Sequence, residues 1–76
     1  MTSAEAKKAF LDGVPVRYSF GRNEIDYVKI SALVYRKEEN KVILQLELLD
    51  KSLHAVFVAL PKYVNVIQTK GREENE

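Results

Sequence analysis

The sequence predicts a small all-β domain, five strands of a rolled sheet preceded by one short helix. Three observations carry that prediction. From residue 25 to residue 67 nearly every residue fits a period of two, the pattern of extended chain with a core face and a wet face. The breaks in that pattern, at residues 21–24, 38–40 and 50–52, are short and rich in turn-forming residues. Only the first dozen residues change to helical spacing.

Thr2-Ser3-Ala4-Glu5 fits a capping box, with Thr2 as the N-cap and Glu5 three residues on. Ala6, Ala9 and Phe10 fall on one side, Lys7 and Lys8 on the other, and Gly13 stands where a C-terminal cap belongs. A helix over residues 3–12 follows, too short to hold alone in water and dependent on the sheet. In the first strand Val14, Val16, Tyr18 and Phe20 share a face opposite Pro15, Arg17 and Ser19. Pro15 lacks an N–H to donate, which puts this strand's start at an edge or a chain entry.

The second strand, residues 25–37, is long. One face carries Val28, Ile30, Ala32 and Val34; the other carries Tyr27, Lys29, Ser31, Leu33 and Tyr35. A strand of that length commonly bends between two halves of a barrel. The third, residues 41–50, alternates Leu44, Leu46 and Leu48 with Gln45 and Glu47. The fourth, residues 53–60, is apolar on both faces, so it is either covered on both sides or half of it is an interface. Pro61 then fixes φ and removes a donor, which predicts a single 3₁₀ turn before a fifth strand at residues 64–67. Residues 1–69 read as one domain, and residues 70–76, all polar or glycine, as a disordered tail.

A chain of 76 residues buries only about 60% of its unfolded surface. The sequence has no Cys and a single His, so neither disulfides nor a structural metal are expected to staple it. Barrel closure or self-association remain as sources of buried area. Lack of Cys fits a reducing compartment. The longest apolar run, Ala55 to Leu60, falls far short of the roughly 20 residues of a membrane span. The N-terminal stretch carries Glu5 and lacks an apolar segment, so no signal peptide is expected. These features predict a cytoplasmic protein.

Charge is nearly balanced, 12 basic against 11 acidic residues. Setting aside the two basic and three acidic residues of 70–76 leaves 10 against 8, a net of +2. The bases are dispersed among acids rather than gathered in a stripe, which gives little electrostatic footprint for nucleic acid.

Helix, five strands and a 3₁₀ turn before the last strand make an order similar to SH3-like and Sm-like small barrels. The segment Leu60-Pro61-Lys62-Tyr63-Val64 resembles the Pro-x-x-Tyr-Val passage of SH3 domains with one residue missing. The chain has no Trp and no acidic, tyrosine-bearing first loop, which the SH3 proline-peptide groove uses. A wider resemblance is carried by Gly13-Val14-Pro15-Val16-Arg17-Tyr18 and Ile30-Ser31-Ala32-Leu33-Val34-Tyr35-Arg36. Glu47-Leu48-Leu49-Asp50-Lys51 and Val56-Phe57-Val58-Ala59-Leu60-Pro61 complete it. Over residues 4–66 the chain resembles short uncharacterised proteins of low-GC Gram-positive bacteria and their prophages. That resemblance implies a phage or mobile-element setting and no particular activity.

Asp50, Ser52 and His54 stand at i, i+2 and i+4, which invites a catalytic triad. Neighbours two apart on a strand are separated by nearly 7 Å along the backbone, too far for nucleophile and base to touch. Asp, Lys and Ser are also ordinary turn residues, so turn chemistry is the stronger reading. Metal binding by His54 with Asp50 or Glu47 would have only hard oxygen partners and no second His. The glycines at 13, 21 and 71 form no phosphate loop. The sequence therefore predicts no catalytic residues, no metal and no cofactor.

Tyrosines are the more informative side chains. Tyr27 and Tyr35, interleaved with Lys29 and followed by Arg36, join Lys62 and Tyr63 as a candidate interaction surface. Tyrosine suits strands and barrel rims on structural grounds alone. Tyr and Arg also anchor protein interfaces, and aromatics beside bases can stack on single-stranded nucleic acid. The expected function is a non-catalytic protein-interaction module that binds a protein partner or itself through an edge strand or the Val56/Val58 face, as a homodimer or a sticky monomer. A nucleic-acid-binding small barrel is the alternative.

Overall fold

The computed structural model describes residues 1–67, so the tail expected over 70–76 lies outside the described residues. Helix α1 spans Ser3–Asp12, and six strands follow: β1 Val16–Phe20, β2 Asn23–Tyr27, β3 Lys29–Glu38, β4 Lys41–Leu49, β5 Val56–Ala59 and β6 Val64–Val66. A 3₁₀ turn, Pro61–Tyr63, separates the last two strands, as the proline predicts.

The helix begins and ends on the expected chemistry. The Glu5 N–H donates to Thr2 Oγ1 at 3.1 Å, and the Thr2 N–H donates to Glu5 Oε1 at 2.7 Å. Two otherwise orphaned amides are thereby satisfied. Gly13 closes the other end at φ +67°, its N–H donating to the Ala9 carbonyl, a conformation that glycine adopts without steric cost. Ala6 and Ala9 face inward and are buried.

The strands are six rather than five. The long strand expected over 25–37 is two, because Val28 leaves the ladder as a bend between β2 and β3. β2 pairs with β1, whereas β3 pairs with β4. The Val28 N–H donates to the Leu49 carbonyl at 2.9 Å, which ties the bend to the second sheet. The first turn correspondingly shrinks to Gly21-Arg22, because Asn23 already pairs with Phe20. Gly21 takes φ +62° there, and a two-residue hairpin needs such a residue.

Two antiparallel three-stranded sheets result, ordered β2-β1-β6 and β3-β4-β5. Among the described residues no strand pair joins one sheet to the other, so the molecule is not the closed five-stranded barrel that the sequence predicts. The cause lies at Pro61: β5 and β6 are consecutive, but the 3₁₀ turn sends β6 back to β1 while β5 stays on β4. Each ends up at an edge.

Two further expectations change. The fourth strand, expected over 53–60, is shortened to Val56–Ala59 and lies at an edge, which removes the first of its two readings, a strand covered on both sides. The loop before it is held by its own side chains. The Ser52 N–H donates to Asp50 Oδ1 and the His54 N–H to Ser52 Oγ, while Leu53 takes φ +65°. The faces of β3 also differ from strict alternation. The register shifts between Ile30 and Ala32, so Ile30 opposes Leu48 and Leu33 opposes Leu46, with Ser31 as the extra residue. A bulge of this kind turns the rest of a strand over.

The core lies between the sheets and under the helix. Val16, Ile30, Leu46, Leu48 and Val64 are fully buried there, joined by Ala6, Ala9 and Ala59. Phe10, Val14, Leu33 and Leu44 pack around that cluster.

Candidate functional site

At one end of the seam between the sheets the core gives way to aromatic rings. β1 runs outward from buried Val16 through half-buried Tyr18 to Phe20, which is 53% exposed. These three share a face, since strand residues two apart point the same way. Their cross-strand partners place Tyr27 of β2 opposite Val16, and Val64 of β6 opposite Tyr18. From the second sheet β5 contributes Phe57, opposite buried Leu48. Tyr63 arrives from the 3₁₀ turn.

The five rings form one contiguous set. Tyr27 stacks on Phe57 at 5.9 Å with only 6° between planes, and Phe57 meets the edge of Tyr18 at 4.9 Å. Tyr63 then contacts both Tyr18, at 6.1 Å, and Phe20, at 5.1 Å. Offset and edge-on pairs of this kind each add about 0.5–1.5 kcal/mol beyond their buried area. Lys62 holds its ammonium 5.2 Å from the Tyr63 centroid, a cation–π distance.

Beside Tyr27 lies a cleft of about 470 Å³ lined mainly by charged residues of β1, β2 and the loop after β4. Arg17 Nε donates to Asp26 Oδ1 at 2.7 Å and its Nη2 to Oδ2 at 3.3 Å. This two-pronged pair holds the Asp26 carboxyl below its usual range, through the hydrogen bond from Arg17 first, with its charge adding. Glu24, Asp50 and Lys51 line the same cleft. Burial, and secondarily the Asp50 carboxylate, push the Tyr27 hydroxyl upward, so it stays neutral and able to donate.

The structure therefore divides the residues singled out in the sequence. Tyr27, Lys62 and Tyr63 come together in the aromatic set. Lys29, Tyr35 and Arg36 belong to β3 instead, where Tyr35 opposes Leu44 and is 61% exposed. Arg36 donates to Gln45 Oε1 at 2.7 Å. The candidate surface read from the sequence leaves out Tyr18, Phe20 and Phe57, although Tyr18 is one of the chain's four tyrosines. The alternation itself held the signal: the inward row of β1 continues past the core to an aromatic residue at the strand's end.

Asp50, Ser52 and His54 do not assemble as a triad. The Asp50 carboxylate and the Ser52 hydroxyl each accept a backbone N–H of their own loop. Among the described residues no three His, Asp or Glu side chains are grouped to hold a metal. No described helix is long and apolar enough to cross a membrane. Comparison with models of protein families, with curated proteins and with solved structures finds no match to this chain.

Proposed function

We propose that this chain is a small non-catalytic module that binds protein through the aromatic face of Tyr18, Phe20, Tyr27, Phe57 and Tyr63. The observation that carries this reading is the exposure of two rings of that face, Phe20 and Phe57. Phe20 stands half in water although the sheets and helix offer a core, and its neighbours are mainly tyrosines, which serve wet and apolar surroundings alike. Contiguous aromatic surface of this type is what protein interfaces use as anchors. Nothing in the cleft beside it assembles a nucleophile, a base and an oxyanion site.

In its finer form the reading takes the two sheets as the halves of an SH3-like small barrel. Supporting it are a strand shared through the Val28 bend and a 3₁₀ turn before the last strand. The resemblance of the sequence to short proteins of Gram-positive bacteria and prophages supports a phage- or mobile-element-linked role, and its lack of Cys supports a cytoplasmic setting.

The second reading, a single-stranded nucleic acid laid across the rings, draws on Lys62 beside Tyr63. Against it, Lys29 and Arg36 lie on β3, away from the rings' own elements, and Glu24, Asp26 and Asp50 line the cleft next to Tyr27. Phosphate would meet carboxylates there.

Tagged wild-type chain and a Phe20→Ser variant decide between them. Proteins retained by the wild type are then measured singly by calorimetry. A genuine partner binds the variant at least about tenfold more weakly, as loss of an aromatic anchor demands. Equal affinity for both overturns the reading. Single-stranded RNA that binds at low salt and is released as salt rises favours the second.

A further inference from the structure

Strand edges are exposed hydrogen-bonding templates that proteins normally guard with charge, proline or a covering segment. In the described residues four such edges occur, and three are guarded. β2 carries Glu24 and Asp26. β3 carries Lys29, Arg36, Lys37 and Glu38, and packs against α1. At β6 the Val64 carbonyl accepts from the Met1 nitrogen at 3.3 Å, and the Val64 N–H donates to the Pro61 carbonyl. Met1 and Ala9 line a cleft together with Asn65 and Val66, so the start of the chain runs alongside this edge.

β5 has no such guard. Val56-Phe57-Val58-Ala59 contains no charge, no proline and no bulge, and Val56 and Val58 are 49% and 44% exposed. Its ladder fixes which backbone groups are free. The Asp50 N–H donates to the Ala55 carbonyl, and this pair continues the β4–β5 register of Leu48 with Phe57 and Leu46 with Ala59. Antiparallel ladders alternate bonded and non-bonded pairs. Phe57 and Ala59 therefore spend their N–H and C=O groups on β4, and Ala55 gives its C=O to Asp50. Val56 and Val58 turn theirs outward.

We propose that β5 pairs with β5 of a second copy of this chain, antiparallel about a twofold axis at Phe57. This rests on reading the chain as an interaction module and names its partner at this edge. The geometry is self-complementary: Val56 of one copy meets Val58 of the other, and each pair exchanges two N–H···O bonds, four in all. The result is one six-stranded sheet, β3-β4-β5 continued by β5-β4-β3 of the partner. Nothing repels along the seam, because residues 55–60 are uncharged. The nearest carboxylates, Glu47 on each β4, would stand about 14 Å apart across three strand spacings, beyond the roughly 8–10 Å screening length. Because the pairing uses the same edge of both copies, neither keeps a free β5 to add a third, so it closes at two.

A four-residue strip is smaller than the roughly 800 Å² per partner of a standard interface, so the dimer should form reversibly with concentration. Light scattering or sedimentation over about 5–500 µM, a range suited to a small interface, is expected to show the mass rising to twice that of the chain. Val58→Lys puts a charge on the edge. Val58→Pro removes an N–H that the β4–β5 ladder does not use. Both are expected to stay monomeric with unchanged circular dichroism. In the paired geometry the two Phe57 Cα atoms oppose each other at about 4.5 Å, within disulfide reach. Phe57→Cys, in a chain with no other thiol, should cross-link to a dimer under mild oxidation, and Val42→Cys at the exposed hairpin should not. A wild type that remains monomeric throughout overturns the proposal, as does a mass growing beyond two copies. Neither result touches the aromatic-face reading, which fails only if Phe20→Ser keeps its partners; Val58→Lys is expected to keep them too.

Discussion

Glu39 and Leu53 hold backbone angles that ordinary residues avoid, φ +54° and +65°. Left-handed backbone costs an L-residue about 1–2 kcal/mol. Glu39 is at an exposed hairpin tip, with no burial to offset that cost. Glu39→Gly is expected to raise stability by about 0.5–1 kcal/mol, after glycine's own entropy is charged against the gain, read as a higher urea midpoint at unchanged slope. The Arg17–Asp26 pair makes a second prediction. Asp26 titrates lower when folded than unfolded, so its contribution is full above about pH 4 and disappears as pH falls through the folded value. The stability advantage of wild type over Asp26→Asn should therefore shrink on acidification and vanish in strong acid. At this scale the sequence is legible wherever a residue type announces its backbone. Thr2, Glu5, Gly13 and Gly21 do so, and all four act as read. Glu39 and Leu53 carry no such sign, because their conformation is imposed by the hairpin and loop around them.

Among the elements, most strands were legible and so was the parity of β1 and β4, but the parity of β3 was not. Alternation locates the strands, but one inserted residue leaves no trace in composition while reversing every side chain beyond it. Ser31 is that residue. Its hydroxyl lies 2.9 Å from Glu47 Oε1 and 3.2 Å from the Glu47 carbonyl, donating toward both, which anchors the bulge to β4. Ser31→Ala is expected to cost about 0.5–1.5 kcal/mol in chemical denaturation, with the register of β3 unchanged. The Val28 bend is the second hidden break. Together they explain why Tyr27 and Tyr35, one row on paper, belong to different surroundings. The ring contacts of Phe57 with Tyr18 and Tyr27 were equally out of reach, since these residues are 30 or more positions apart in the chain and meet only when the sheets do.

For the whole molecule, a chain of this length has about 4–11 kcal/mol of stability at ordinary values per residue. Leu46 is fully buried at the centre of that small core. Leu46→Ala is expected to remove about 2–5 kcal/mol, a fall in Tm of roughly 10–30 °C by calorimetry. The β-rich class and the short leading helix were evident from the periodicity. Closure was not, because it depends on which strand β6 pairs with, and Val64-Asn65-Val66 does not say whether that is β1 or β5. Beside the shared core, the backbone itself joins the halves. The final described stretch stitches them like a thread, one seam along β4 and the next along β1. The loop at residues 51–54 lies outside both seams, so lengthening it loosens neither, and each doubling adds only about 0.6 kcal/mol of closure entropy. Here the architecture has room to acquire an extra segment, and with it a new specificity, without resewing the rest.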